Sequence, residues 1–326
     1  MVCLRCDGRR SDGRVRARIA LVSGRTVLRV TRALLVLSLV PIVGTSQDRS
    51  PWQPDRPIRC ERCDVWNRPV EPYRVFGNTY YVGVAGLSAI LITSDDGHIL
   101  VDAGLPQSAP VIAENIRAMG FRPEDVCTIA ASHEHFDHVG GVAALQRLTR
   151  ATVVASVVAA RALSQGEPTP EDPQAALGRE SMGFPRVEHV RVVQDGETLR
   201  VGKLAITAHL TPGHTPGSTT WTWRSCEAER CLDVVYADSL TPVSAPAFRF
   251  EDVPGRVERF RRSIATVGKL PCDILLSVHP DFADLGRKRA AQTDDRSRNP
   301  FVDSTGCRTY AESAARSLER RLGEEQ

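Results

Sequence analysis

Apolar and polar positions alternate along YRVFGNTYYVG (73–83) and run together in LSAILITS (87–94) and HILVDAG (98–104), with the turn SDDG between the last two. Period-two alternation and short apolar runs bounded by Gly and Asp predict strands. The spacing then changes. Val111, Ile112, Ile116 and Met119 recur at helical intervals, predicting a helix from Gln107 that stops at Gly120. VCTIAAS (126–132) reads as a buried strand, Val139 to Leu148 as a helix and ATVVASVV (151–158) as another strand. Residues 163–187, rich in Pro, Gly and charge, read as an irregular insertion, and loops of such length in a domain are usually functional. Strands return at HVRVVQD, TLRVGKLAITAHL, STTWTWRS and LDVVYAD. A helix follows over Val257 to Leu270, then the strand DILLSVH and a closing helix with Tyr310, Ala314, Leu318 and Leu322 on one face. Strand-rich halves that each end in strand–loop–helix units predict an α/β fold in layers, two sheets sandwiched between helices.

Charge divides the chain. Nine arginines against Asp7 and Asp12 give residues 1–32 a charge of +7, so the net +3 of the chain leaves −4 for the rest. A mildly acidic body argues against a nucleic-acid partner. Ala33 to Val43 is an apolar run of 11 behind those arginines, followed by the small residues GTS. That is the layout of a secretory signal peptide, too short to span a membrane. The expected division is a signal peptide at 1–46, a short N-terminal segment at 47–65 and the functional domain at 66–326. The basic section is long for a leader, so translation can begin later, near Val30. Export to the periplasm would permit disulfides among the nine cysteines. Cys60 and Cys63 form a CxxC with no second one in the exported part, which argues against a structural zinc site. Cys127, in the apolar run, reads as a buried free thiol.

ASHEHFDHVGG (131–141) concentrates the chemistry: His133, His135, Asp137 and His138 begin where a buried strand ends. In an extended loop 133, 135 and 137 project to one side, with His138 next to them as a helix begins. Nitrogen and carboxylate donors together suit zinc, and a catalytic zinc needs about three protein ligands. Four donors in one loop therefore ask for two more. His214, in the turn TPGHTPG, and His279, at the end of DILLSVH, both follow strands and complete a set for two zinc ions. Asp102 also ends a strand and is expected to orient a ligand by hydrogen bond. Glu134, facing away from its neighbours, is expected beside the site or in solvent. His98, His189 and His209 read as structural.

ASHEHFDHVGG, TPGHTPG, YADSL and SVHP resemble the metallo-β-lactamase superfamily, whose fold is a four-layer αββα sandwich. FGNTYYVG, SDDGHILVDAG, GFRPEDV, TWTWRSCE and YADSLT are similar to its subclass B3, over about Trp66 to Arg321. The resemblance implies that His133, His135 and His214 hold one Zn2+ and Asp137, His138 and His279 the other. It implies hydrolysis of the β-lactam amide by a hydroxide between the two ions, with Asp137 aiming it and Ser239 and Thr241 meeting the substrate carboxylate. It implies a small-molecule antibiotic as substrate, a monomer, and disulfides Cys226–Cys231 and Cys272–Cys307. Related proteins carry a cysteine near position 84 that pairs with one near 60; Val84 stands there, leaving Cys60 with Cys63 or with nothing. The alternative on the same scaffold is a thioesterase like glyoxalase II or a lactonase, which place a metal-bridging aspartate in a sequence similar to that around Asp238; the residues flanking Asp238 follow the lactamase pattern, and it is read as structural.

Overall fold

The structure, a computed structural model, describes residues 2–4, 53–293, 295 and 298–326. The expected leader and its cleavage point after Ser46 lie outside these residues, except for a three-residue strand, β1 (Val2–Leu4).

One sheet holds seven strands in sequence order: β2 (Tyr73–Phe76), β3 (Thr79–Tyr81), β4 (Ile90–Ile92), β5 (His98–Val101), β6 (Val126–Ala130), β7 (Thr152–Ala155) and β8 (Val190–Val192). The first four pair antiparallel through short turns, and β5 to β8 run parallel through crossovers. The second sheet has the order β1, β9 (Thr198–Val201), β10 (Leu204–Leu210), β11 (Thr219–Glu227), β12 (Arg230–Ala237) and β13 (Ile274–Ser277).

The helices are α1 (Cys63–Trp66), α2 (Ser108–Ala118), α3 (Phe136–Val139), α4 (Val142–Thr149), α5 (Val157–Gln165), α6 (Arg179–Met182), α7 (Arg256–Lys269), α8 (Leu285–Ala290) and α9 (Gly306–Glu324). One core gathers Ile90, Ile99 and Val101 of the first sheet with Ile206, Trp221 and Val234 of the second, and continues to Phe260 of α7 and Leu318 of α9. The other packs Leu91, Leu100 and Ile129 against Ile112 of α2, Leu145 of α4 and Leu163 of α5. Helices cover the outer faces and the sheets meet between them: the αββα sandwich.

Three details depart from the pattern reading. The predicted helix from Val139 is two, broken at Gly140 and Gly141, where a β-carbon would press into the Phe136 and Ala103 carbonyl oxygens. The strand expected to reach Val158 ends at Ala155, because the Ser156 hydroxyl accepts the Ala159 N–H and caps α5. That cap outweighs the β-preference of the two valines after it. The insertion at 163–187 carries a helical turn at Ala175–Leu177 and α6.

Cysteine geometry is close-range. Sulfur atoms lie 2.00 Å apart for Cys226 and Cys231, 2.03 Å for Cys272 and Cys307, and 2.14 Å for Cys60 and Cys63. Cys127 is disulfide-bonded rather than a free thiol. It is buried, as its apolar context predicts, at 7% exposure near the start of β6.

Candidate metal centre

The chain leaves β6 at Ala130 and at once lays down the donors. Trp221 Nε1 of β11 donates to the Ala131 carbonyl at 3.0 Å, and Thr219 N donates to the Ser132 carbonyl at 2.8 Å. Both bonds tie the cluster's first residues to the other sheet. Glu134 then turns inward, against the solvated alternative. Its carboxylate is fully buried and accepts Thr215 Oγ1 at 2.9 Å and Gly217 N at 3.0 Å. Gly217 has no room for a side chain, since a β-carbon would meet Glu134 Oε2 at 2.3 Å. The loop that carries His214 is thereby fastened to the loop that carries His133 and His135. Burial and the nearby charge of Asp172 push the Glu134 carboxyl up to about 7.

His135 is still extended, but Asp137 and His138 already belong to α3. The strict alternation of 133, 135 and 137 therefore ends at Phe136. An aspartate in the first turn of a helix is favoured by the exposed N–H groups there, which accounts for the early start.

Donor atoms of His133, His135 and His214 lie within 4.8 Å of one another, as do those of His133, Asp137 and His138. His279 stands beside the second group, its Nε2 3.6 Å from Asp137 Oδ2, while His138 Nε2 is 3.2 Å from the same oxygen. Ring centroids of His138 and His279 are 4.9 Å apart, and those of His133 and His214 also 4.9 Å. All six predicted donors thus converge.

Each of four imidazoles gives one nitrogen to a fixed acceptor. His133 Nδ1 is 2.7 Å from Asp238 Oδ1, and His214 Nδ1 is 2.8 Å from the Thr241 carbonyl. His279 Nδ1 is 2.9 Å from the Gly86 carbonyl, and His135 Nε2 is 3.1 Å from Asp172 Oδ2. An acceptor on one ring nitrogen fixes the tautomer and leaves the other lone pair for a metal. The residues fit a metal on a direct observation: His133 Nε2, the nitrogen opposite the one turned to Asp238, is buried without a hydrogen-bond partner. A buried polar atom left unpaired costs about 1–3 kcal/mol, which a bound cation at His133 Nε2 would offset.

At His133, His214 and His279 electrostatics favour the neutral imidazole that metal binding needs. Burial, then the charge of His135, holds His214 down to about 4; burial, then His138, does the same at His279. His135 and His138 differ: burial opposes their charge, but Asp172 with Asp137 and Glu134 together outweigh it at His135 and push it up to about 9, and Asp137 with Asp102 and Asp238 raise His138. Asp137 lies well below the usual carboxylate range, because His138, His279 and His135 overcome the cost of its burial.

Asp102 sits at a left-handed φ of 59°. It accepts Ser132 N at 2.7 Å, Ser132 Oγ at 2.6 Å and Tyr236 Oη at 2.8 Å. Its Oδ2 is 3.9 Å from His138 Nδ1, beyond a direct hydrogen bond. It thus anchors the cluster loop through Ser132 rather than gripping a ligand. Asp238 belongs to neither donor group, its Oδ1 being turned to His133. Ser239 Oγ and Thr241 Oγ1 lie 2.9 Å apart, with Thr241 Oγ1 3.2 Å from His214 Nδ1. Two contributors carried no sequence signal: Asp172, and Trp66, whose ring lies 5.4 Å from that of His279. His98 and His209 sit away from the site; His98 packs edge-on to Phe121 and His209 Nε2 is 2.9 Å from Thr222 Oγ1.

A family model described as the metallo-beta-lactamase superfamily matches residues 82–228. Among solved structures the chain is similar to Rm3 metallo-beta-lactamase, at 47% identity and a TM-score of 0.79, covering 82% of this chain and 99% of that one. It is also similar to MEM-A1, a subclass B3 metallo-beta-lactamase from a soil metagenome library, at 49% identity and a TM-score of 0.77, covering 80% and 98%. A shorter likeness, 34% over 74 residues, links 16% of the chain to 30% of an N-acyl homoserine lactonase of Bacillus cereus. The chain spans 30% of the length of the curated relatives it matches.

Proposed function

The chain belongs to the metallo-β-lactamase superfamily and to its subclass B3, and from that membership we propose that it hydrolyses the amide bond of β-lactam antibiotics with zinc. The observation that carries the reading is a likeness of 47–49% spanning almost the whole of both relatives, joined to the convergence of all six donors.

Two Zn2+ per chain are proposed, one on His133, His135 and His214 and one on Asp137, His138 and His279. Bound there, zinc would polarise the lactam carbonyl and make water acidic enough to attack at neutral pH. The protein supplies the rest. Asp238, Asp172 and the carbonyls of Thr241 and Gly86 hold the imidazoles in one orientation. Asp137, kept ionised by the surrounding histidines, accepts a hydrogen bond from the attacking water and aims it. Ser239 and Thr241 offer hydroxyls to the substrate carboxylate. No serine nucleophile is required. The lactonase alternative needs Asp238 on the metals; here its Oδ1 is turned to His133 Nδ1 and the residue falls in neither group of converging donors, although its Oδ2 is buried without a partner.

The deciding assay is hydrolysis of a carbapenem and a chromogenic cephalosporin with and without chelator. Turnover that chelation abolishes and zinc restores is expected. A zinc-loaded protein that leaves both intact while opening an acyl homoserine lactone would sink the reading.

The protein is further proposed to act in the periplasm as a monomer, exported by residues 1–46 and starting near Gln47, with Cys226–Cys231 and Cys272–Cys307 closed. Cleavage after Ser46 would also remove β1 and leave β9 as a sheet edge. No helix among the described residues is long and apolar enough to cross a membrane. Non-reducing mass spectrometry of exported material should find the shortened chain and both bonds.

A further inference from the structure

We propose that Asp172, in the insertion between α5 and β8, is a positioning residue that sets the tautomer of His135 and so the affinity of the first metal site. The inference rests on the zinc reading above.

Asp172 is 2% exposed, and both its carboxylate oxygens are engaged. Oδ1 accepts the Gln174 N–H at 2.7 Å, and Oδ2 accepts His135 Nε2–H at 3.1 Å. Its neighbours are clamped from elsewhere. The Arg256 guanidinium of α7 donates to the Glu171 carbonyl, and Ala245 N donates to the Pro173 carbonyl at 2.9 Å. Three consecutive residues of an otherwise irregular segment are thus held by three different parts of the fold. Arg256 is itself buried, its guanidinium 5.2 Å from the centre of the Phe248 ring.

A buried carboxylate is a poor choice for stability alone, because desolvation consumes most of what the pairing returns. What it supplies here is direction. With Nε2–H given to Asp172, His135 must present its Nδ1 lone pair to the metal. For His214 and His279 a main-chain carbonyl does this work; for His135 it is a side chain of the insertion. The insertion is therefore wired to the metal and is more than a cover over it.

Asparagine makes the test sharp. The Gln174 N–H needs an acceptor, so Asp172→Asn must turn its oxygen that way and its NH2 toward His135 Nε2. The ring then accepts at Nε2 and carries its proton on Nδ1, the metal side. Asp172→Ala removes the acceptor without forcing the wrong tautomer. Zinc affinity, measured by competition with a chromophoric chelator, should fall about 10- to 100-fold at one site in Asp172→Asn. The fall in Asp172→Ala should be smaller, although Ala should melt lower as the metal-free protein. A merely structural role predicts the opposite order, with Asn close to wild type in affinity.

Long-range proton–nitrogen NMR of the metal-free protein, at a pH high enough for the ring to be neutral, should show His135 protonated on Nε2 in the wild type and on Nδ1 in Asp172→Asn. Unchanged affinity and tautomer in Asp172→Asn would overturn the inference, and that variant decides even if Asp172→Ala does not fold. Zinc competition needs no β-lactam, so failure to hydrolyse one leaves this test standing. A wild-type chain that bound no zinc would overturn both.

Discussion

Ser239 and Thr241 share one side of the segment after β12, within reach of His214. A hydrogen bond from a hydroxyl to a charged group is worth about 1.5–3 kcal/mol, and tenfold in affinity is about 1.4 kcal/mol. Ser239→Ala/Thr241→Ala should therefore raise KM by roughly tenfold or more while kcat changes less, the pattern of lost ground-state binding. Zinc content should stay constant, since His214 leans on the Thr241 main-chain carbonyl, which the substitution keeps. An unchanged KM across several β-lactams would place the carboxylate elsewhere. His98 gives a separate test of pH. Burial lowers its pKa below the ordinary 6.5, so the unfolded chain takes up the proton more readily than the folded one. Its contribution to stability is complete above the unfolded value of 6.5 and is lost as pH falls from there through the lower folded value. His98→Gln should flatten the fall in urea midpoint between about pH 7 and pH 5, whereas parallel falls would exonerate His98. The metal donors were legible one by one because their residue types are rare and their spacing tight. Asp172 was not, since an acid in a polar loop looks like any solvated charge until the chain folds it onto His135.

Elements follow the sequence where periodicity is long and lose it where a single local bond decides. α2 and α7 form within a residue or two of their apolar spacing, and in α9 Tyr310, Ala314, Leu318 and Leu322 all face inward, as expected, on a helix that begins four residues earlier. The two paired glycines that split α3 from α4, and the Ser156 cap, act through contacts that hydrophobic periodicity does not register. α9 also carries Cys307 in its first turn, opposite Cys272 ahead of β13, the strand that delivers His279. Closing the 35-residue separation restrains the unfolded chain by about 4 kcal/mol in the loop-entropy picture. Cys226 and Cys231 are 5 apart and already face each other in the β11–β12 ladder, and the same picture gives about 2 kcal/mol. Cys272→Ala/Cys307→Ala should thus lower the urea midpoint more than Cys226→Ala/Cys231→Ala. The reverse order would mean that α9 stays docked without its bond.

At the scale of the whole molecule, the order of strands and helices was enough to read the sandwich, but not which strands would be neighbours. β13 pairs parallel with β12 after a helix, and the β1–β9 pairing joins segments almost 200 positions apart, so neither follows from local pattern. That long-range assembly is also what builds the site. His133 to His138 follow β6 of the seven-stranded sheet, whereas His214 and His279 follow β10 and β13 of the other. Donors from both sheets converge only in the folded chain, so a metal that binds them binds the native state and stabilises it by mass action. Free zinc at a thousand times its dissociation constant adds about 4 kcal/mol. A domain of this size gains about 2–4 °C in Tm per kcal/mol, so loss of one ion should lower Tm by roughly 10 °C and exhaustive chelation of both by about twice that, and zinc should restore it. Recovery should need two equivalents, the second filling the Asp137, His138 and His279 group. His279→Ala should abolish the second step and leave the first, because His133, His135 and His214 do not include it. Full recovery of Tm after one equivalent in the unaltered protein would instead establish a single structural ion, and the two-zinc arrangement would fall with it.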